Sequence, residues 1–135
     1  MKKATFLRPR ACMLTWLPDE LLEPIINDER VDAVMAVIDG TAVAVGGVRK
    51  GMNSCAEAFL WLTPEGLQYP ALFIQMRRIW ERYVSDYRRL SMQVDILNPK
   101  AIRFAYWLGC VPECVIRNIG PLGEDWLQFV RFNDA

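Results

Sequence analysis

Apolar positions in this chain follow two rhythms. Val34 to Ile38, Thr41 to Val48, Cys55 to Leu62 and Leu90 to Leu97 are short, near-continuous apolar runs, as expected of strands inside a sheet. Between them, Leu72, Phe73, Met76, Ile79, Trp80 and Tyr83 recur at three- and four-residue steps with charges interleaved. That spacing predicts one long amphipathic helix over 69–89. Asp39-Gly40 separates the first two runs and is a strong signal for a type I′ hairpin. Ala4 to Arg8 reads as a first strand. Asp19 to Ile26 has helical spacing, with Pro24 expected to split it into two short pieces. Val111 to Ile119 and Trp126 to Phe132 predict a closing antiparallel pair across Gly120-Pro121-Leu122-Gly123.

The stretch from Leu90 to Cys110 carries the sharpest punctuation. After the Leu90–Leu97 strand, Asn98 is a good N-cap, because its side-chain oxygen can accept from an orphan backbone N–H. Pro99 suits the first helical position, where its missing donor costs nothing. Gly109 falls where a left-handed residue should end the helix. A helix between two strands of one sheet forces those strands parallel, so the order β, α-region, β, β, β, α, β, α, β, β predicts a mixed α/β sheet. With no repeat, linker or low-complexity tract, residues 1–135 form a single domain, long enough to bury about two-thirds of its unfolded surface.

Composition then removes whole classes of chemistry. The chain has no histidine, which excludes Ser-His-Asp and Cys-His nucleophile systems and histidine-ligated zinc. Cys12, Cys55, Cys110 and Cys114 form no C-x-x-C pair and read as packed thiols in a reducing compartment, so no metal is expected. Formal net charge is zero, so no global field draws the protein to nucleic acid or an anionic membrane. Apolar runs are shorter than the roughly 20 residues of a membrane span, and no membrane partner is expected. Arg8, Pro9 and Arg10 interrupt what would otherwise begin like a signal peptide, which argues against export.

Asn98, Ala101 and Gly109, set behind a core strand, resemble the last conserved stretch of the GCN5-related N-acetyltransferase (GNAT) family. That family has Asn, Ala three residues on, Tyr seven on and Gly eleven on. The resemblance spans essentially the whole chain. It implies a GNAT-like α/β fold: a mixed, mostly antiparallel sheet with one parallel splayed strand pair and flanking helices. In the family, acetyl-CoA lies where those strands part, with its diphosphate on a Gly-rich loop at the following helix N-terminus.

Two parts of that pattern are altered here. The loop is Thr63-Pro64-Glu65-Gly66-Leu67-Gln68-Tyr69-Pro70, in which only Gly66 stands as a family glycine. Two prolines remove donors and Glu65 brings a negative charge; Thr63-Pro64-Glu65 reads more simply as a helix start. Cofactor-binding candidates implied by the resemblance are Leu62, Gly66, Leu67, Gln68 and Asn98. The family tyrosine, a general acid, is replaced by Ala105, and Tyr106 is rotated about 100° away on the helix. Glu57 and Tyr106 are therefore the catalytic candidates.

The pattern Asn98, Ile102-Arg103-Phe104, Leu108-Gly109 also resembles small GNAT-like internal virion proteins of short-tailed bacteriophages. Gly46-Gly47, the Trp61-Leu62-Thr63 strand end and an Arg-rich long helix fit as well. This resemblance implies a non-catalytic structural or assembly protein, made in the host cytoplasm and carried in the virion. Its partners would be other virion proteins or further copies of itself, and no cofactor is expected. The alternative is a cytoplasmic acyl-CoA-dependent N-acetyltransferase with an altered diphosphate loop, using acetyl-CoA. A third reading makes Arg77, Arg78, Arg82, Arg88 and Arg89 a basic face for nucleic acid or an acidic partner.

Overall fold

The computed structural model describes residues 2–133. Seven strands form one sheet in the order β1-β2-β3-β4-β5-β7-β6: β1 Thr5–Leu7, β2 Val31–Ile38, β3 Thr41–Lys50, β4 Cys55–Leu62, β5 Arg89–Asp95, β6 Val111–Ile116 and β7 Trp126–Phe132. Three α-helices connect them, α1 Asp19–Asn27, α2 Pro70–Asp86 and α3 Pro99–Trp107. Every strand pair is antiparallel except β4 and β5, which α2 joins. The expected mixed sheet is therefore present, and its single parallel pair lies at the centre.

Strand alternation divides the core between two faces. On one, α2 and α3 cover Val48, Ala56, Leu90, Val94 and Phe129, with Trp80 and Ala105 as the helical contributions. On the other, α1 and the turn before it cover Met35, Ala42 and Val45 with Leu14 and Leu17. The hairpin forms as expected, with Asp39 and Gly40 both at positive φ (51° and 78°) and Ile38 opposite Thr41. Asn98 caps α3, its Oδ1 accepting from Ala101 N at 3.1 Å. At the other end, Gly109 (φ +83°) donates to Tyr106 O and Cys110 N donates to Ala105 O. These two bonds form a Schellman stop that satisfies the last carbonyls.

Several expected boundaries move. Pro24 does not divide α1. Only the bond to the Glu20 carbonyl is forfeited, on a helix with no fully buried residue, and Asp28 N still reaches Pro24 O. Leu21, Leu22 and Ile25 hold the intact helix on the sheet. The long helix ends at Asp86, not Arg89. Arg88 N bonds to Ser54 O, and Arg89 opens β5 opposite Cys55. β5 stops at Asp95, leaving Ile96 and Leu97 exposed in a turn. β6 ends at Ile116, before Asn118 at φ 57°.

The basic face loses members accordingly. Arg89 pairs with Glu113, Arg88 bonds to Asn53 O, and Arg77 stacks on Trp107. Arg78 and Arg82 stay exposed on α2. Among the described residues, no helix is long and apolar enough to cross a membrane.

A cleft where two parallel strands part

β4 and β5 pair over only three rungs, Cys55–Arg89, Ala56–Leu90 and Glu57–Ser91. Beyond Glu57 they diverge. β3 still pairs β4 as far as Leu62, and β7 still pairs β5 as far as Asp95, so both strands remain in the sheet while the gap opens. About half of the backbone N–H and C=O groups of residues 58–62 lie on the inner edge and therefore face the gap and no neighbouring strand. The resulting cavity is about 1170 Å³. Phe73, Met76 and Trp80 of α2 wall one side and Ala101, Phe104 and Trp107 of α3 the other. Its floor is made of small residues, Ala36, Ala44, Gly46, Gly47 and Ala58.

Glu57 stands at the apex, on the last rung before the strands part. Because Ala56 and Ala58 belong to the core under α2, alternation turns the exposed Glu57 carboxylate to the opposite face. Ser91, Gln93 and Asp95 share that face on β5, and none of the three helices covers them. One face of the cleft is thus roofed by α2 and α3, while the opposite face carries Glu57, Gln93 and Asp95 beside Phe59 and Trp61 and has no helix over β5.

The sequence candidates separate in three dimensions. Glu57, Leu62, Leu67 and Asn98 line the cleft. Gly66 and Gln68 do not line it, and neither does Tyr106, whose ring packs edge-on against Phe129 (centroids 5.3 Å). Ala105 is fully buried on the sheet-facing side of α3. The tyrosine that does line the cleft is Tyr83, absorbed by the apolar stripe of α2 in the sequence reading. Its hydroxyl donates to Asp32 O at 3.3 Å, and burial pushes its pKa up to about 12. A hydroxyl in a helical stripe carries no sequence signal of which cavity it borders.

The Thr63–Pro70 loop is closed on itself. It forms a short 3₁₀ turn, Gly66–Gln68, before α2 begins at Pro70, so Thr63 does not start α2 as its cap pattern suggests. Thr63 Oγ1 accepts from Gly66 N and donates to Val43 O. Gln68 N bonds to Glu65 O, Tyr69 N to Gly66 O and Leu72 N to Tyr69 O. Gly66 is needed for close approach, since a Cβ there would lie 2.8 Å from Val43 O. For acetyl-CoA the fit is divided: the cleft suits a long, apolar pantetheine arm, while a loop with these amides spent is a poor diphosphate cradle.

Solved structures share this fold along nearly the whole chain. Spermidine/spermine N-acetyltransferase SpeG from Vibrio cholerae, in complex with manganese ions, has a TM-score of 0.78 at 13% identity, covering 97% of this chain and 93% of that one. A dodecameric structure of spermidine N-acetyltransferase from the same organism has a TM-score of 0.79 at 12% identity, covering 97% and 94%. The sequence matches no protein-family model and no curated protein. At these identities the likeness establishes the GNAT fold. It also corrects the reading of the chain as a non-catalytic virion protein, because these neighbours are acetyltransferases; virion partners and a virion location find no support among them.

Proposed function

We propose that the chain is an acyl-CoA-dependent N-acyltransferase that moves an acetyl group from acetyl-CoA to an amine. One observation carries this reading: the cleft opens at Glu57, where unpaired β4 edge groups, an apolar roofed arm and an open polar face meet. Acetyl-CoA, when bound, supplies an activated acyl thioester. The β4 edge offers backbone donors to the thioester carbonyl, where charge develops during acyl transfer. Glu57 accepts a proton from the incoming ammonium, leaving a neutral amine to attack the carbonyl carbon. The C–S bond then breaks. With Ala105 in the family tyrosine position and Tyr106 against Phe129, the departing sulfur takes its proton from the attacking nitrogen, directly or through water. Asp95, also lining the cleft, gives the open side a second carboxylate to attract a cationic acceptor. The acceptor to try first is spermidine, named for the structural neighbours. Self-association is in keeping with the dodecameric neighbour and with β6, an edge strand exposing Val111 and Val115.

The test is release of free CoA thiol from acetyl-CoA with a panel of primary amines. Amine-dependent release that falls about a hundredfold in Glu57→Gln supports the reading. No release with any amine would overturn it. Undiminished turnover by Glu57→Gln would remove Glu57 as the base.

A further inference from the structure

We propose that the donor site takes acyl groups longer than acetyl, up to about the length of an octanoyl chain, with the tail running from Glu57 beneath α2 and across β3 to β2. This inference rests on the acyl-CoA reading above and names the acyl class within it.

At about 100° per residue, the inner side of α2 divides into two flanks. Phe73 and Trp80 turn toward α3, where they meet Phe104 and Leu108 O. Leu72, Met76, Ile79 and Tyr83 fall on the other flank. Leu72 and Met76 pack with Ala4 and Ala36 there, and Tyr83 reaches Asp32 O. The cavity is lined from both flanks, by Phe73 and Trp80 and equally by Met76, Ile79 and Tyr83. It therefore passes beneath the helix to Val34 of β2 and Phe6 of β1.

The sheet gives this lobe its floor. Leu60, Gly46 and Val34 are register partners on β4, β3 and β2. The middle one has no side chain, so a furrow crosses β3 there, between Ala44 and Val48 on the same face. All three line the cavity and are only half-buried, although α2 lies over them. Side chains between a helix and a sheet are ordinarily close-packed, so exposure in that position marks space that protein does not fill. A Cβ at Gly46 would lie 3.1 Å from Leu60 Cδ1, so Leu60 leans over the near end of the furrow and must turn aside for a chain to enter. From β4 to β2 is two strand spacings, about 10 Å, comparable with an extended octanoyl chain.

The lobe is apolar. The charged residues that line the cavity are Glu57, Asp95, Lys100 and Arg103, and they come from β4, β5 and α3, not from β2, β3 or α2. The Tyr83 hydroxyl is engaged by Asp32 O. Ala58, next to Glu57 on β4, faces α2 and is small enough to leave the entrance open. An acyl carbonyl held at the parted strand edge beside Glu57 can send its tail over the open face or past Ala58 into the lobe. Only the second course removes methylenes from water, at about fourfold in affinity for each one buried.

Titration calorimetry with acetyl-, butanoyl-, hexanoyl- and octanoyl-CoA tests the assignment. The expected result is an affinity that climbs along the series and is about a hundredfold or more higher for octanoyl-CoA than for acetyl-CoA. Val34→Phe fills the far end of the furrow and should cut that ratio about tenfold or more. Ala58→Leu fills the near end, should cut it as well, and decides the matter where Val34→Phe does not fold. Both variants add carbon to empty space, so a thermal scan should place them near or above the wild type. A marked drop in both would reveal a filled core at this place and overturn the lobe. Equal affinity for acetyl-CoA and octanoyl-CoA overturns it too, while leaving the acyl-CoA reading intact. An octanoyl preference that neither folded variant reduces puts the tail elsewhere and overturns the assignment. Wild-type protein that binds none of the four thioesters defeats the acyl-CoA reading itself, and the lobe with it.

Discussion

The indole nitrogen of Trp80 donates to the carbonyl oxygen of Leu108 at 2.9 Å, tying the middle of α2 to the end of α3. The same oxygen accepts from Arg131 Nη1 at 2.7 Å, and Arg131 also holds Glu81 of α2. A carbonyl that the helix end leaves without an intrahelical partner is thus satisfied twice, from α2 and from β7. Both helices bordering the cleft are fixed to each other at its closed end, while the strands separate at its open end.

Trp80→Phe should therefore destabilise the protein by about 1 kcal/mol, the net worth of one buried hydrogen bond whose acceptor keeps a second donor. Trp80→Ala should cost about 3–5 kcal/mol, since a large side chain only 6% exposed leaves a cavity. Urea titration measures both. A Phe variant as stable as the wild type would mean that Arg131 alone suffices at Leu108.

Gly109→Ala should cost on the order of 1 kcal/mol through its left-handed backbone. An added Cβ would also lie 3.1 Å from Arg131 Nη1, pressing on the group that caps Leu108. Gly109→Asn separates the two causes, because Asn tolerates the left-handed region but carries the same Cβ. Equal melting temperatures for the Ala and Asn variants would assign the cost to Arg131 crowding and not to the backbone.

Much of this was legible in the sequence wherever a local rule acts alone. Asp39-Gly40 needs only its own dihedrals to make the hairpin, and Asn98, Pro99 and Gly109 bound α3 by capping chemistry. Boundaries failed where distant strands decide: Arg88 and Arg89 continue a helical pattern, yet Ser54 and Cys55 draw them into the sheet. The apex position of Glu57 was half-legible, since its strand was evident but not the rung at which β4 and β5 part. Trp107 and Arg77 lie thirty positions apart in sequence, and only packing of α2 against α3 joins them. The functional likeness misled for a related reason. Residues such as Ile102-Arg103-Phe104 that suggested a virion relative serve helix packing and the cleft wall, which many chains of this fold need whatever they do.

Acid sensitivity should centre on Glu113. Hydrogen bonds from Arg89, and then from Gln128, hold its carboxyl down at about 2, against an ordinary value of 4.5. Its proton affinity is lower in the folded state than in the unfolded one. The stabilisation it provides is therefore complete above about pH 4.5 and is lost as the pH falls through about 2. Solvent reaches a third of both partner side chains (31% and 33%), so screening keeps the contribution modest and salt-sensitive. Glu113→Gln should lower the urea midpoint near neutral pH and flatten the loss of stability across the acid range. A wild type and variant that lose stability in parallel down to about pH 2 would show that the Arg89 pairing, which links β5 to the edge strand β6, contributes nothing to the acid limb.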